Sequence, residues 1–149
     1  MYDSVTAHGS IREYRVEARR TASTRVSQPA HGHRWTLSMP SGGRLADSLT
    51  VPDPVELLLK AVAAAVVAGT EEAAALLELA LDAIEVHVYA VLRNHAACPL
   101  TVEYDLTVES DAPEARLVQL HEELRQGSAV LKVVAAGTLL NGRMHPRRA

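Results

Sequence analysis

The thiol and imidazole side chains of this 149-residue chain limit the redox and metal chemistry that it can perform. Cys98 is the single cysteine, so one chain cannot form an internal disulfide or run a two-cysteine redox cycle. His31 and His33 place two imidazoles in one segment, and His121-Glu122 begins a His-Glu-x-x-His motif whose second His is absent. Zinc needs three or four converging ligands, so we expect no metal and no cofactor.

Candidate acid–base side chains occur on two predicted strands. The polar residues of segment 84–91 alternate with apolar ones and therefore share one face, and segment 100–108 adds two carboxylates. These side chains are Glu85, His87, Tyr89, Glu103 and Asp105. A carboxylate opposite an imidazole is suited to general acid–base catalysis, but the same pattern is typical of the solvent face of an antiparallel sheet. We favour the solvent face.

Hydrophobic periodicity predicts the elements that must position these residues. Segments 11–18 and 33–39 alternate as strands of an antiparallel sheet. After the two acid–base strands, an apolar stripe of three leucines predicts a helix, followed by a short helix at 128–136 and a last strand at 138–144. The stripe consists of Leu117, Leu120 and Leu124. The order of strands and helices indicates an α+β domain.

A long helix separates the first two strands from the rest. Asp53 is a suitable N-cap and Pro54 suits the first helical position. The helix is apolar around most of its circumference, so the domain or a partner chain must cover it. We expect Gly69 and Thr70 to kink or break it.

The start of this helix and the C-terminal segments also match a known pattern. Residues 52–59 read PDPVELLL, and residues 127–132 and 137–140 read GSAVLK and GTLL. These segments resemble the OsmC and organic hydroperoxide resistance (Ohr) proteins. Those small thiol peroxidases carry a Pro-x-Glu-Leu-Leu-type turn followed by a reactive Cys. The resemblance extends over residues 11–144 and indicates a divergent member of that family.

At both positions where the family places its thiols, this chain has another residue. Ala65 stands eleven residues after Pro54, at the position of the first Cys, and Ser128 stands at the position of the second. Peroxide reduction requires a thiolate that becomes a sulfenic acid and a second thiol that resolves it. Neither Ala65 nor Ser128 supplies a thiolate. The resemblance therefore implies a protein that has lost thiol-peroxidase chemistry.

The fold implied by the resemblance is α+β, with antiparallel sheets wrapped around a long central helix in an intertwined homodimer. In that fold the pockets lie at the subunit interface, where Ala65, Val62 and Ser128 are the expected ligand-binding residues. The residues available for catalysis there are Ser128, His121 and Glu56. Because His121 shares the leucine stripe, we expect it to point inward, where a neutral imidazole needs a hydrogen-bond partner.

These features predict an OsmC-like protein that binds or transforms an apolar small molecule in the interface pocket, as part of specialised metabolism. Two alternatives remain. One is a peroxide-reducing enzyme that uses Cys98, and the other is a non-catalytic scaffold. Whether the protein is an enzyme stays open at this point.

Composition bounds the domain count, the partners and the compartment. A chain with 48% apolar and 22% charged residues predicts one domain over 1–149, with frayed ends at about 1–9 and 145–149. The net charge of −3 argues against nucleic-acid binding. No secretory signal is apparent, and the longest uncharged apolar run, residues 61–69, is shorter than the ~20 residues of a membrane span. We therefore expect a cytoplasmic protein, and its frequent Ala and Arg are typical of a bacterial source.

Overall fold

A computed structural model describes residues 11–21, 34–38, 53–94 and 96–148, and these residues form strands and helices in the predicted order. The elements are β1 Ile11–Thr21, β2 Arg34–Ser38, α1 Pro54–Leu76, β3 Ala83–Arg93, β4 Leu100–Glu109, α2 Glu114–Gly127, α3 Ala129–Gly137 and β5 Leu139–Arg147. The α+β class is therefore confirmed. The pair His31 and His33 lies outside the described residues.

The strands form one sheet in the order β2-β1-β3-β4-β5. The pairs β1–β2, β1–β3 and β3–β4 are antiparallel, as predicted for the first two strands and for the acid–base strands. The expectation of purely antiparallel sheets needs correction, because β5 runs parallel to β4. The chain crosses from β4 through α2 and α3 before β5, and such a crossover connection returns a strand in the same direction.

The long helix α1 begins where the sequence predicts. Asp53 has extended backbone angles, and its Oδ1 accepts a hydrogen bond of 2.8 Å from the backbone N–H of Val55. Pro54 occupies the first turn, where its missing N–H costs nothing. The Tyr14 hydroxyl also donates to Asp53 Oδ2 at 3.4 Å, which ties the helix start to β1.

The predicted break at Gly69 and Thr70 is wrong, since α1 continues without interruption to Leu76. Thr70 is buried, and its hydroxyl donates to the carbonyl of Val66 at 2.6 Å, so its polar group is satisfied inside the helix. Gly69 allows α2 to approach, because a Cβ there would lie 2.5 Å from Cδ1 of Leu124. The glycine is therefore a packing residue.

The core lies between the sheet and the helices. Alternate residues of β1, β3 and β4 point to the helix side and are buried, whereas their neighbours face the other side. Helix α1 packs against β1, β3 and α2, and α2 presents its predicted leucine stripe to the core. The fully buried members of these elements include Val62, Val86, Leu106, Leu117 and Leu120.

The outer face of the sheet carries an ion-pair network. Both His87 nitrogens lie 2.8 Å from a glutamate oxygen, Nε2 from Glu85 and Nδ1 from Glu17. Only the Nε2 contact has hydrogen-bond geometry. That hydrogen bond lowers the pKa of the Glu85 carboxyl. The prediction that Glu85 and His87 share a face is confirmed, and the two side chains contact each other there.

The C-terminal segment is more regular than expected. Strand β5 continues to Arg147, which pairs with Glu109 of β4. The frayed end expected from residue 145 is therefore paired as far as residue 147. Asp105 faces two basic side chains of β5, Arg143 at 3.2 Å and His145 at 3.3 Å, which favours this register. Within the described part of the chain, none of the helices has the length and apolarity needed to cross a bilayer.

Candidate functional site

Ala65 and Ser128, which stand where the sequence resemblance places the two thiols, lie on neighbouring elements. Ser128 stands between α2 and α3, and its Cβ lies 3.8 Å from the position that a Cβ on Gly69 would occupy. Ala65 precedes Gly69 by one helical turn and therefore shares its side of α1. The fold thus brings the region of Ala65 and Ser128 together without a thiol at either position.

The Ser128 hydroxyl has a structural task. It accepts a hydrogen bond of 3.3 Å from the backbone N–H of Leu131 and so caps the N-terminus of α3. The Ser128 carbonyl accepts from the N–H of Lys132 at 3.1 Å, which closes the first turn. These contacts account for a serine at this position without any catalytic role.

Val62 and Glu56 lie elsewhere than the site prediction expected. Val62 is fully buried in the core, so it cannot contact a ligand that enters from solvent or from a partner surface. Glu56 lies in the first turn of α1, about 20 Å along the helix from Gly69 at 1.5 Å per residue. The structure therefore does not bring Glu56 together with Ser128.

Cys98 lies in the turn between β3 and β4 and is half-buried. Its Sγ lies 3.8 Å from the carbonyl oxygen of Leu100, a weak contact of a thiol donor with backbone. A reactive thiolate needs a nearby cation, base or helix N-terminus. The contact described for Cys98 provides none of these.

His121 forms a partly buried polar pair, for which the sequence predicted the need of a partner but not the partner itself. Its Nε2 lies 2.9 Å from the hydroxyl oxygen of Tyr104 on β4, and the rings meet edge to face at 87°. His121 was expected to need a hydrogen-bond partner, and Tyr104 is that partner. Burial lowers the pKa of His121, and the nearby Arg125 cation lowers it further. Burial raises the pKa of Tyr104, so both side chains are neutral near pH 7.

Gly142 makes room for the Tyr104 ring. The two residues are directly paired across β4 and β5, and a Cβ on Gly142 would overlap the phenol carbons and oxygen. The ring therefore lies across the edge strand and reaches α2. Any larger residue at position 142 would displace it.

Beside this pair lies a groove bounded by β4, α2, α3 and β5, which we call the Tyr104 groove. Its volume is about 380 Å³, and its lining includes Tyr104, Arg125, Leu131, Lys132, Leu140 and Asn141. None of Ala65, Val62 and Ser128 belongs to this lining. The groove is therefore distinct from the pocket expected at the thiol positions.

Sequence reasoning missed Tyr104, Arg125, Lys132 and Gly142. Two signals were available. Tyr104 alternates with the inward-facing apolar residues of β4, and Gly142 interrupts an otherwise regular strand pattern. Neither signal identifies His121 as the partner, because that contact depends on how α2 lies over the sheet. Among the described residues, no three His, Cys, Asp or Glu side chains are grouped so as to hold a metal ion.

Comparison with solved structures places this architecture among OsmC-fold proteins. An OsmC-like protein from Mycoplasma pneumoniae aligns with a TM-score of 0.59 at 11% identity, over 77% of this chain and 88% of that one. An OsmC-like hydroperoxide resistance protein from Jannaschia sp. CCS1 aligns with a TM-score of 0.54 at 15% identity, over 83% and 87% of the two chains.

A third structure is similar over a still larger share of the chain. The organic hydroperoxide resistance protein OsmC from Legionella pneumophila aligns with a TM-score of 0.51 at 10% identity, over 87% of this chain and 93% of that one. No protein-family model and no curated protein sequence matches the chain. The chain therefore has the OsmC fold, as the sequence resemblance implied, and the low identities agree with strong divergence.

Proposed function

We propose that this protein is a cytoplasmic homodimer of the OsmC fold that lacks thiol-peroxidase chemistry and holds an apolar small molecule at its subunit interface. The observation that carries the proposal is an apolar helix surface around the first thiol position that is partly or largely exposed among the described residues. It lies on α1 and consists of Leu57, Ala61, Ala64, Ala65 and Ala68, which we call the α1 stripe.

The α1 stripe is apolar and is partly or largely exposed within the described part of the protomer. Its members recur at spacings of three and four residues, so they lie along one side of the helix. Leu57 is 46% exposed, and Ala61 and Ala68 are exposed as well. A long apolar helix face of this kind is normally buried against another surface.

The neighbouring helix α3 adds apolar surface of its own. Only Leu131 and Val134 of α3 are buried, while Val130 and Val133 are 44% and 73% exposed. Ser128 connects this helix to the side of α1 that carries Ala65. A second copy of the chain would cover both surfaces, as in the intertwined dimer that the family resemblance implies, and would enclose Ala65 and Ser128.

The chemistry at these positions favours binding over peroxide reduction. Ala65 offers a methyl group, and the hydroxyl of Ser128 caps α3. Peroxide reduction needs a thiolate and a resolving thiol. An interface site built from the α1 stripe, which includes Ala65, would therefore recognise its ligand mainly through apolar contact.

Native mass spectrometry tests the dimer and its ligand together. We expect a dimer that carries a co-purified small molecule, and we expect Ala61→Asp to yield a folded monomer without ligand, because it places a charge in the interface. Val118→Asp is the matched control, since Val118 is 59% exposed on α2 and should leave the dimer intact. A folded wild-type monomer would overturn the proposal, and a dimer that never carries a ligand would favour the scaffold alternative.

A further inference from the structure

The Tyr104 groove has the size of a small ligand site. Its volume of about 380 Å³ lies at the lower end of the range of roughly 300–1,000 Å³ found for small-molecule pockets. Its described walls come from α2, α3, β4 and β5. None of the α1 stripe residues belongs to this lining, so the groove goes beyond the proposed interface site.

The charged residues of the groove favour an anion that carries a single charge. Arg125 and Lys132 supply two cations, and Glu122 supplies one carboxylate. Glu122 lies 3.8 Å from Arg125, so it offsets part of that charge. The lining is left with a net charge of about +1, which suits a monoanion better than a doubly charged phosphate group.

The uncharged lining fits the rest of such a ligand. Leu131, Ala135 and Leu140 provide apolar surface. An inorganic anion would make no contact with this apolar surface. A short aliphatic chain attached to the anion would cover it.

The Tyr104–His121 pair can supply a neutral donor to the same ligand. When the neutral imidazole carries its proton on Nε2, His121 donates to the Tyr104 oxygen across the 2.9 Å contact. The phenol O–H is then free to donate into the groove, which Tyr104 lines. A carboxylate oxygen accepts such a bond strongly, because hydrogen bonds to an ionised group are stronger than neutral ones.

From these features we infer that the Tyr104 groove binds a small aliphatic monocarboxylate. Arg125 and Lys132 neutralise its charge, Tyr104 donates a hydrogen bond to it, and Leu131 and Leu140 contact its carbon chain.

Nuclear magnetic resonance titration with sodium hexanoate tests the inference. We expect saturable shifts of backbone amides lining the groove, and affinity about tenfold lower in Arg125→Gln and in Lys132→Gln, as expected for loss of a charge-assisted contact. Tyr104→Phe, which keeps the ring and removes the hydroxyl, should also weaken binding. Arg12→Gln is the matched control, because Arg12 is exposed on β1, two strands from β4.

Two further probes complete the test, one without charge and one with a phosphate in place of the carboxylate. Hexanamide has the same carbon chain without the charge, and its affinity should be at least about tenfold lower than that of hexanoate. Hexyl phosphate should bind more weakly than hexanoate. Equal binding of hexanoate and hexanamide, tighter binding of hexyl phosphate, the same loss in Arg12→Gln, or no shift at millimolar hexanoate would overturn the inference.

Discussion

Substitution of Val62 by Asp is expected to unfold the protein. Val62 is fully buried on the side of α1 that faces the core. An aspartate there would be an unpaired charge in an apolar site, and we expect a loss of more than about 4 kcal/mol. That loss approaches the whole stability of a typical domain, which is roughly 5–15 kcal/mol.

Urea denaturation followed by circular dichroism measures this effect. Val118→Asp introduces the same change at an exposed helix position and should cost less than about 1 kcal/mol. If Val62→Asp were as stable as Val118→Asp, then position 62 would not lie in the core. In that case the interface pocket that the sequence predicted for Val62 would regain support.

Replacement of Gly142 by alanine is expected to destabilise the protein through Tyr104. The added methyl group would overlap the phenol ring, and we expect overpacking of this kind to cost about 1–3 kcal/mol. The backbone of Gly142 does not require glycine for its own conformation, since the described glycines have no positive φ. The effect should therefore come from the ring alone.

A double-mutant cycle isolates that contact. In a Tyr104→Ala background the cost of Gly142→Ala should fall by about 1 kcal/mol or more, because the ring is gone. Gly137→Ala is the control, since a Cβ at Gly137 meets nothing within 4 Å. An equal cost of Gly142→Ala in both backgrounds would show that Tyr104 does not lie across β5 as described.

The parts of the fold that the sequence predicted depend on local signals. Alternation identified β3 and β4, and the Asp53 cap with Pro54 identified the start of α1. Gly69 misled the prediction because its helix-breaking tendency is weak. The approach of Leu124, which explains the glycine, is a tertiary contact that propensity does not contain.

The candidate sites were less accessible to sequence reasoning for a related reason. The match at Ala65 and Ser128 follows from spacing to a known motif and needs no tertiary information. The Tyr104–His121 pair joins a strand to a helix that could lie over the sheet in several ways. The local sequence pattern also does not predict the parallel direction of β5, which places Gly142 opposite Tyr104.

Peroxide turnover is the most direct test of the central claim, that this OsmC-fold protein is not a thiol peroxidase. Purified protein is mixed with an organic hydroperoxide or hydrogen peroxide and a dithiol reductant, and peroxide consumption is followed over many equivalents. We expect no turnover, because Ala65 and Ser128 stand where the sequence resemblance places the two thiols, and only slow stoichiometric oxidation of Cys98. Sustained turnover that Cys98→Ser abolishes would contradict the account and establish the single cysteine as the catalytic thiol.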